Sequence, residues 1–484
     1  MEINTRKKKI QNFKQEFFNS RLMLALQMNN RYTYSQFVEK WTEEKKEEAP
    51  INIEIPKSRL LLGFSSLNYS TSNIVAPKLN IAVEEGGKLV PKSRVFIIIG
   101  RKGSGKSILG SSIILDGIVD RFHVPCLAID PSPTPEFYRH KYSLRDNFRN
   151  EEMQKKFDEY EKMFNTKFRG YKISVIKPAF DNSMFKEEGT DKEITLNLAD
   201  FKESFNFSKL DAIQSLLSVL ELDDNRAAEV MIAQILTNES ITTFGEVIDV
   251  MDGKIKFEDS DFKNVGRAFS TYLNAALMLG VFSKDNGFSN SIINDMIENE
   301  AVVIRSKSKT GEDSKVLAKY LVYIKILITK VIWDRIRYVS GTPAEKAKAK
   351  MVHPFGIILS IDEADLVVPE NSTSYLKDLI EQVATKMRKL GISLVLQVQD
   401  SSLLSQILIA QADGIFCSRI DSEGNIKTLR TRGISEENIK VLRHLDVEKT
   451  NSLGLRVSEW AYIGTDNSII SFYPAPPLSA FLMQ

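Results

Sequence analysis

Residues 96 to 110 read FIIIGRKGSGKSILG, and they carry the strongest structural signal in the chain. The apolar run at the start predicts a strand, the residues after Lys106 predict a helix, and the turn between them matches the pattern G-x-x-x-x-G-K-[ST]. Glycines let backbone N–H groups converge on phosphate oxygens, and the N-terminus of the helix adds the positive end of its dipole. We therefore predict a nucleotide-binding P-loop made of Gly100, Arg101, Lys102, Gly103, Ser104, Gly105, Lys106 and Ser107.

Two side chains of this loop have predicted roles in binding ATP and Mg²⁺, which are the cofactors we expect. The ammonium group of Lys106 would reach the β- and γ-phosphates, and the hydroxyl of Ser107 would be a ligand of Mg²⁺. A flexible loop without a ligand is the alternative interpretation. The nucleotide-binding interpretation is favoured because the motif requires a strand before it and a helix after it, and the sequence predicts both.

A second stretch, FGIILSIDEADLVVP at residues 355 to 369, predicts a strand that ends in two acids. The carboxylate of Asp362 at the edge of a neighbouring strand could hold the Mg²⁺ shell. The adjacent carboxylate of Glu363 could polarise the attacking water as a general base. The alternative is that these acids only begin a helix, where they suit the helix dipole. The P-loop upstream favours the metal and base roles.

The strand predicted over residues 392 to 398 ends beside two glutamines, Gln397 and Gln399. An amide at this strand end could sense the γ-phosphate or orient the water, as a glutamine does in some nucleotide hydrolases. We assign this role to Gln399, and an ordinary polar residue at a strand end is the alternative. Strand alternation places both glutamines on one face, so parity does not separate them.

The order of the predicted elements indicates an α/β fold. Apolar runs that alternate with helices predict a parallel sheet covered by helices on both faces, of the RecA-like P-loop NTPase type. We predict a core formed by residues 94–132 and 300–484, a large and mostly helical insertion at 133–299, and a small N-terminal accessory domain at 1–93, which is helical and then has short strands.

The segments around these motifs resemble one known family. The stretch IDEAD at 361 to 365 and the stretch ATKMRKLGISLVLQVQDSSLLSQILIAQADGIFCSRI at 384 to 420 are similar to the HerA/FtsK superfamily of DNA-pumping ATPases. The likeness covers roughly residues 90 to 477, and it is strongest at the P-loop, at the two acids and at 391–399. Around the glutamine the chain departs from the family pattern with Val398, Asp400 and Ser401.

The resemblance implies what the ATPase would act on. It implies a homo-hexameric ring that threads double-stranded DNA. Such a motor would act in mobile-element transfer or viral DNA packaging, with an adaptor, nuclease, capsid or secretion partner. A HerA-like repair helicase or translocase is the second use within the same class. From a different class, a nucleotide-gated scaffold that does not pump DNA is the alternative.

A helix predicted over residues 375 to 390 carries a candidate arginine finger. Its apolar stripe would face the sheet, and it consists of Leu376, Leu379, Ile380, Val383, Met387 and Leu390. Arg388 lies on the other face, from which it could reach the nucleotide of a neighbouring subunit. A cation that only stabilises a helix C-terminus is the alternative, and Arg419 and Arg430 are the rival candidates.

Composition restricts the partners and the location. The formal net charge is +2, so any DNA contact must come from local patches, such as the basic loop at 305–315 or the arm RKKKIQNFK near the N-terminus. Asp130, at the end of a predicted strand, stands where the HerA/FtsK family often has Asp-Pro, although a turn before Pro131 explains it at least as well. The apolar stretch 316–333 contains three lysines, so we predict an amphipathic helix and no membrane insertion. Two cysteines, predicted to be buried thiols, and no recognisable signal peptide favour a cytoplasmic protein.

Overall fold

The computed structural model describes most of the chain between residues 63 and 474. Residues 1–62 and 475–484 lie outside the described part, as do the longer internal stretches 66–73, 131–147, 179–191, 252–262, 285–300 and 306–313. The helical region predicted at 1–50, the basic arm in it and most of the basic loop at 305–315 therefore fall outside the described residues.

Sixteen strands are formed by the described residues. In chain order they are β1 (Gly63–Ser65), β2 (Ile74–Val75), β3 (Ala82–Glu85), β4 (Lys88–Pro91), β5 (Val95–Ile99), β6 (Cys126–Asp130), β7 (Ile173–Pro178), β8 (Lys192–Ile194), β9 (Ala301–Arg305), β10 (Ile357–Ile361), β11 (Ile392–Val398), β12 (Gly414–Cys417), β13 (Lys449–Thr450), β14 (Arg456–Val457), β15 (Trp460–Ile463) and β16 (Ile469–Pro474).

Fourteen α-helices lie between them in the described ranges. They are α1 (Lys106–Ser111), α2 (Glu151–Met163), α3 (Leu198–Phe207), α4 (Lys209–Val219), α5 (Arg226–Thr237), α6 (Phe244–Met251), α7 (Lys263–Met278), α8 (Ser314–Ser340), α9 (Pro343–Lys348), α10 (Ala364–Val367), α11 (Tyr375–Thr385), α12 (Gln406–Ala410), α13 (Glu423–Thr431) and α14 (Glu436–Arg443).

Twelve of the described strands form one sheet, in the order β2-β1-β16-β15-β12-β5-β11-β10-β6-β9-β7-β8. The run from β12 to β8 is parallel, and β15, β16, β1 and β2 extend it with antiparallel pairs. The α/β class and the parallel core predicted from the sequence are confirmed. The central order β12-β5-β11-β10-β6 places β11 between the strand before the P-loop and the strand that ends in the two acids.

Alternating side chains of the central strands pack into two apolar layers. One layer contains Ile97, Ile99, Leu394 and Leu396, and the other contains Phe96, Ile98 and Val395. Strands β5, β10 and β11 are buried along their whole length because helices cover both faces of the sheet. Helix α8 lies in the larger layer through residues that include Tyr320, Tyr323, Leu327, Ile328 and Ile332.

Helix α8 begins at Ser314 and ends at Ser340, and it contains the predicted amphipathic segment. Within the described part of the chain, no helix is both long enough and apolar enough to cross a membrane. Cys126 and Cys417 are buried and unbridged, as predicted. Burial raises the pKa of both thiols, that of Cys417 to about 12, so both stay protonated at neutral pH.

The predicted domain boundaries stay a prediction, but two observations bear on them. Strand β1, within the proposed accessory domain, pairs with β16 in the main sheet. Strands β7 and β8, within the proposed insertion, extend the opposite side of the same sheet. The rest of the described insertion is mostly helical, from α2 to α7.

The helix predicted over residues 375 to 390 is shorter than expected, because α11 ends at Thr385 and Arg388–Leu390 form a separate 3₁₀ turn. Residues distant in the chain donate hydrogen bonds to this turn. The backbone N–H of Ser93 donates to the carbonyl of Arg388 at 2.7 Å, and the guanidinium of Arg335 donates to the carbonyl of Leu390 at 2.6 Å. The apolar stripe of α11 does face the core, as predicted.

We expect Gly356→Ala to destabilise the central sheet. Gly356 has φ of +139°, and a Cβ atom there would lie 2.0 Å from the carbonyl oxygen of Gly391. That oxygen accepts the hydrogen bond from Ile357 that starts the β10–β11 pairing, so the substitution must break the pairing or bend the chain. Backbone strain of this kind costs about 1–3 kcal/mol, which urea denaturation monitored by circular dichroism would measure.

Gly266→Ala is the matched control. Gly266 lies within α7, where the nearest atom to a new Cβ would be the sulfur of Met251 at 3.4 Å. Alanine is favoured over glycine in a helix by about 0.5–1 kcal/mol, so this variant should unfold at equal or higher urea. Unfolding of Gly356→Ala at the wild-type urea concentration would contradict the close approach of the two strand starts.

Candidate nucleotide-binding site

The carboxyl ends of the central parallel strands meet at one edge of the sheet. In the strand register Ile99 pairs with Val398, and Ile361 pairs with Leu396. The residues that follow these strands are Gly100, Gln399 and Asp362, so the three sequence motifs lie side by side. Ligands of open parallel sheets bind outside this edge.

The P-loop connects β5 to α1 by a tight turn. The backbone N–H of Ser104 donates to the carbonyl of Arg101 at 3.1 Å, and that of Leu109 donates to the carbonyl of Gly105 at 3.0 Å, where the helix begins. Gly103 and Gly105 have φ of 83° and 82°, a conformation that residues with a Cβ rarely adopt. Left-handed residues in such a turn let successive backbone N–H groups converge, which is how an anion-binding nest is built.

Lys106, Ser107 and Asp362 contact one another at the start of α1. The Nζ of Lys106 lies 3.1 Å from Oδ1 of Asp362, and the hydroxyl of Ser107 donates to Oδ2 of Asp362 at 3.4 Å. Lys106 and Asp362 are both more than nine-tenths buried. A hydroxyl and a carboxylate that converge are hard oxygen donors, which is the donor set that Mg²⁺ prefers. The residues present therefore fit a Mg²⁺–nucleotide site.

Glu363 has an unusual backbone conformation beside this cluster. Its φ is 50° and its ψ is 49°, which is the left-handed region, and its backbone N–H donates to Oδ1 of Asp362 at 3.0 Å. Residues other than glycine that hold this conformation concentrate at functional sites. Burial raises the pKa of the Glu363 carboxyl, and the neighbouring Asp362 carboxylate raises it further. A carboxylate with a raised pKa is a better proton acceptor near neutral pH.

The structure places Gln397 and Gln399 in different environments, although strand alternation gives both the same face. Gln397 is 1% exposed, and its amide packs against α1 so closely that a Cβ on Gly110 would lie 2.6 Å from it. Gln399 follows the end of β11 and is exposed at the edge that carries the P-loop and Asp362. Of this pair, only Gln399 is exposed at the edge that carries the P-loop, and the role assigned to it stays a prediction.

Arg388 lies at the opposite edge of the sheet. It precedes β11, whereas the P-loop follows the parallel strand β5. Its guanidinium is exposed and donates to the carbonyl of Ala384 at 3.3 Å and to the side-chain oxygen of Gln411 at 3.1 Å. The side chain therefore faces away from the P-loop of its own chain.

The two rival arginines lie elsewhere. Arg419 follows β12 at the P-loop edge, and its guanidinium pairs with Asp421, which also pairs with Arg101 of the P-loop at 3.4 Å. Arg430 pairs with Glu436 on the surface of α13 and α14. Asp130 ends β6 at the same edge as the P-loop, and its backbone is in register with Arg305.

Sequence reasoning missed Asn425, which touches the loop that carries Gln399. Its side chain lies in the first turn of α13, after the N-cap residue Ser422, and donates to the carbonyl of Gln399 at 3.1 Å. The pattern Ser-x-x-Asn at 422 to 425 was a visible signal for a helix start. The same pattern occurs at 435 to 438, and sequence alone does not tell which of the two faces the site.

Comparisons with known proteins identify the fold. No family model and no curated protein matches this sequence. The structure of VirB4 from Thermoanaerobacter pseudethanolicus is 12% identical, with a TM-score of 0.51 and coverage of 88% of this chain and 99% of that chain.

Two further structures match at lower TM-scores. The genome packaging NTPase B204 from Sulfolobus turreted icosahedral virus 2 is 11% identical over 79% of this chain and 97% of that chain, with a TM-score of 0.32. The bacterial conjugative coupling protein TrwBdeltaN70 is 14% identical over 89% of this chain and 90% of that chain, with a TM-score of 0.36. The likeness to VirB4 shows that the chain has the fold of that protein, and the resemblance predicted from the sequence is confirmed at the level of the fold.

Proposed function

We propose that this protein is a Mg²⁺-dependent ATPase that works as a homo-hexameric ring and uses ATP hydrolysis to move double-stranded DNA. The observation that carries the ATPase proposal is the convergence of the P-loop, Asp362, Glu363 and Gln399 at one sheet edge. The ion pair of 3.1 Å between Lys106 and Asp362 brings the phosphate-binding and metal-binding groups of this edge together.

Each residue has a distinct role in the proposed reaction. The N–H groups of the P-loop and the ammonium of Lys106 would bind the phosphates and balance their charge. Ser107 and Asp362 would hold Mg²⁺, which, when bound, neutralises charge on the phosphate oxygens. Glu363 would accept a proton from the attacking water at its carboxylate, and the amide of Gln399 would contact the γ-phosphate or orient that water.

The DNA part of the proposal rests on the resemblance to the HerA/FtsK superfamily at residues 90 to 477. We favour a motor for mobile-element or viral DNA, which would work with an adaptor, nuclease, capsid or secretion partner. The unbridged, buried Cys126 and Cys417 support a site of action in the cytoplasm, where thiols stay reduced.

We expect Glu363→Gln to bind ATP normally and to hydrolyse it slowly. A general base contributes about 10²–10⁴-fold to the rate, and the amide keeps the shape of the side chain but cannot accept the proton. Phosphate release at saturating ATP would measure the loss. Lys106→Ala should instead lose nucleotide affinity in a titration, because the phosphate charge is no longer balanced.

Asp365→Asn is the matched control for this experiment. Asp365 lies two residues after Glu363, and burial raises its pKa in the same direction. Its substitution should leave turnover close to that of the wild type. Wild-type turnover in Glu363→Gln would show that the general base is another residue, and an equal loss in Asp365→Asn would show that the loss is not specific to Glu363.

Double-stranded DNA should raise ATP turnover, and the increase should fall steeply as salt is added. A chain with a net charge of +2 contacts phosphates only through local Lys and Arg groups, and each contact releases counterions. The slope of log affinity against log salt is about −0.9 per phosphate contact, so a titration at several salt concentrations counts them. ATP turnover that does not change on addition of DNA at any ionic strength would favour the alternative, a nucleotide-gated scaffold that does not pump DNA.

Arg388 should act on the nucleotide of a neighbouring subunit, because it lies at the edge opposite its own P-loop. Arg388→Ala should bind ATP and lose turnover, by up to about 10³–10⁵-fold for an arginine finger. An excess of Lys106→Ala subunits, which keep Arg388 but have a disabled P-loop, should restore activity at the intact sites of the mutant. The rate of phosphate release from such mixtures measures the recovery of ATP turnover.

Two variants control the mixing experiment. Lys389→Ala removes an exposed cation from the same 3₁₀ turn and should keep its turnover. Arg419→Ala lies at the edge of its own P-loop, so any turnover that it loses should not return on mixing. No recovery of Arg388→Ala although subunits exchange, or full turnover of Arg388→Ala alone, would rule out the trans role.

A further inference from the structure

The loop after β11, residues 399 to 402, is bound by the buried amide side chain of Asn425 on α13. The side-chain oxygen of Asn425 accepts from the backbone N–H of Ser401 at 2.7 Å and from the hydroxyl of Ser401 at 2.8 Å. The Nδ2 of Asn425 donates to the carbonyl of Gln399 at 3.1 Å. Asn425 is 6% exposed, and Ser401 is fully buried.

The donors and acceptors around Asn425 fix the orientation of its side-chain amide. A backbone N–H can only donate and a backbone carbonyl can only accept, so the oxygen of Asn425 must face Ser401 and its nitrogen must face Gln399. An alanine at 425 would leave two buried donors of Ser401 and the carbonyl of Gln399 without these partners, and each such loss is costly in a buried site. The loop would then leave its position or admit water.

The helix that carries Asn425 is itself fixed against the loop. The hydroxyl of Ser422 accepts from the backbone N–H of Asn425 at 3.1 Å, which caps the first turn of α13. At Gly424, the residue before Asn425, a Cβ would lie 2.7 Å from both Oδ1 of Asp400 and the hydroxyl of Ser402. The first turn of α13 therefore packs closely against residues 399 to 402.

We propose that Asn425 is a positioning residue, which holds the backbone of Gln399 so that its side chain stands at the phosphate edge. This inference rests on the proposed role of Gln399 as the group that senses the γ-phosphate. Asn425 acts through Gln399 and does not touch the nucleotide. It should therefore affect the preference for ATP over ADP, and not the affinity for the phosphates that both share.

The chain contains a close control for this residue. Asn438 occupies the same position in α14, after the N-cap residue Ser435, whose hydroxyl accepts from the backbone N–H of Asn438 at 3.2 Å. Its side chain donates to the carbonyl of Asn467 at 3.3 Å, in the turn between β15 and β16. Asn438→Ala thus removes a matching helix-start amide that touches no residue of the Gln399 loop.

The test compares the dissociation constants of ADP and of a non-hydrolysable ATP analogue, both with Mg²⁺, on the full chain. Gln399→Ala and Asn425→Ala should each lower the preference for the triphosphate, by about tenfold for one lost hydrogen bond, and leave ADP affinity unchanged. The double variant should lose no more than either single one, since both act through one contact. Asn438→Ala should keep the wild-type preference.

Asn425→Asp separates positioning from folding. Its carboxylate still accepts both bonds from Ser401 but has no donor for the carbonyl of Gln399. Amide exchange at Ser401 should stay slow in Asn425→Asp and become fast in Asn425→Ala, while both variants lose the preference for the triphosphate.

Three outcomes would overturn the inference. These are equal losses of ADP and triphosphate affinity in Asn425→Ala, additive losses in the double variant, or an unchanged preference in Asn425→Ala when Gln399→Ala loses it. Each of them leaves nucleotide binding by the wild type intact, and so leaves the proposed ATPase standing. Absence of nucleotide binding by the wild type would refute the proposed function itself, and the inference with it.

Discussion

The in-register packing of β5, β11 and β10 is the constraint on which the site depends. Because these strands are parallel and adjacent, with Ile99 beside Val398 and Ile361 beside Leu396, their carboxyl ends lie at the same edge of the sheet, and β10 ends two residues before β11. Residues more than 250 positions apart in the chain, such as Lys106 and Asp362, can then form an ion pair of 3.1 Å. A slip of one residue in either pairing would turn the end of a strand to the other face and separate the groups.

The sequence predicted the parts of the site that depend on local order. A strand, a glycine-rich turn and a helix are specified by neighbouring residues, so the P-loop and the strand before Asp362 could be predicted from their own segments. Strand alternation alone did not separate Gln397 from Gln399, because it gives both the same face. The structure separates them because the backbone of Gly110 on α1 covers Gln397 and leaves Gln399 exposed.

Contacts between distant segments could not be predicted in the same way. The apolar stripe in 375–390 continues through Leu390, so periodicity predicted a helix to that point, and no local signal marks its end at Thr385. Likewise Ser422 and Ser435 begin two helices with the same Ser-x-x-Asn pattern, yet one asparagine binds the Gln399 loop and the other binds the turn at Asn467. The packing of α13 and α14 against different neighbours decides this difference.

The long helix α8 helps to fix the turn that carries Arg388. Arg335 of α8 is 5% exposed, and burial lowers its pKa to about 10, so its guanidinium is still charged at neutral pH when it donates to the carbonyl of Leu390. A hydrogen bond from a charged donor is stronger than a neutral one. Five residues earlier and two residues later on the same helix, Lys330 and Arg337 pair with Glu203 of α3 at 3.5 and 2.7 Å. Helix α8 thus joins the helical region around α3 to the turn that carries Arg388, and it also packs against α10, the helix that follows Asp362 and Glu363 at the P-loop edge.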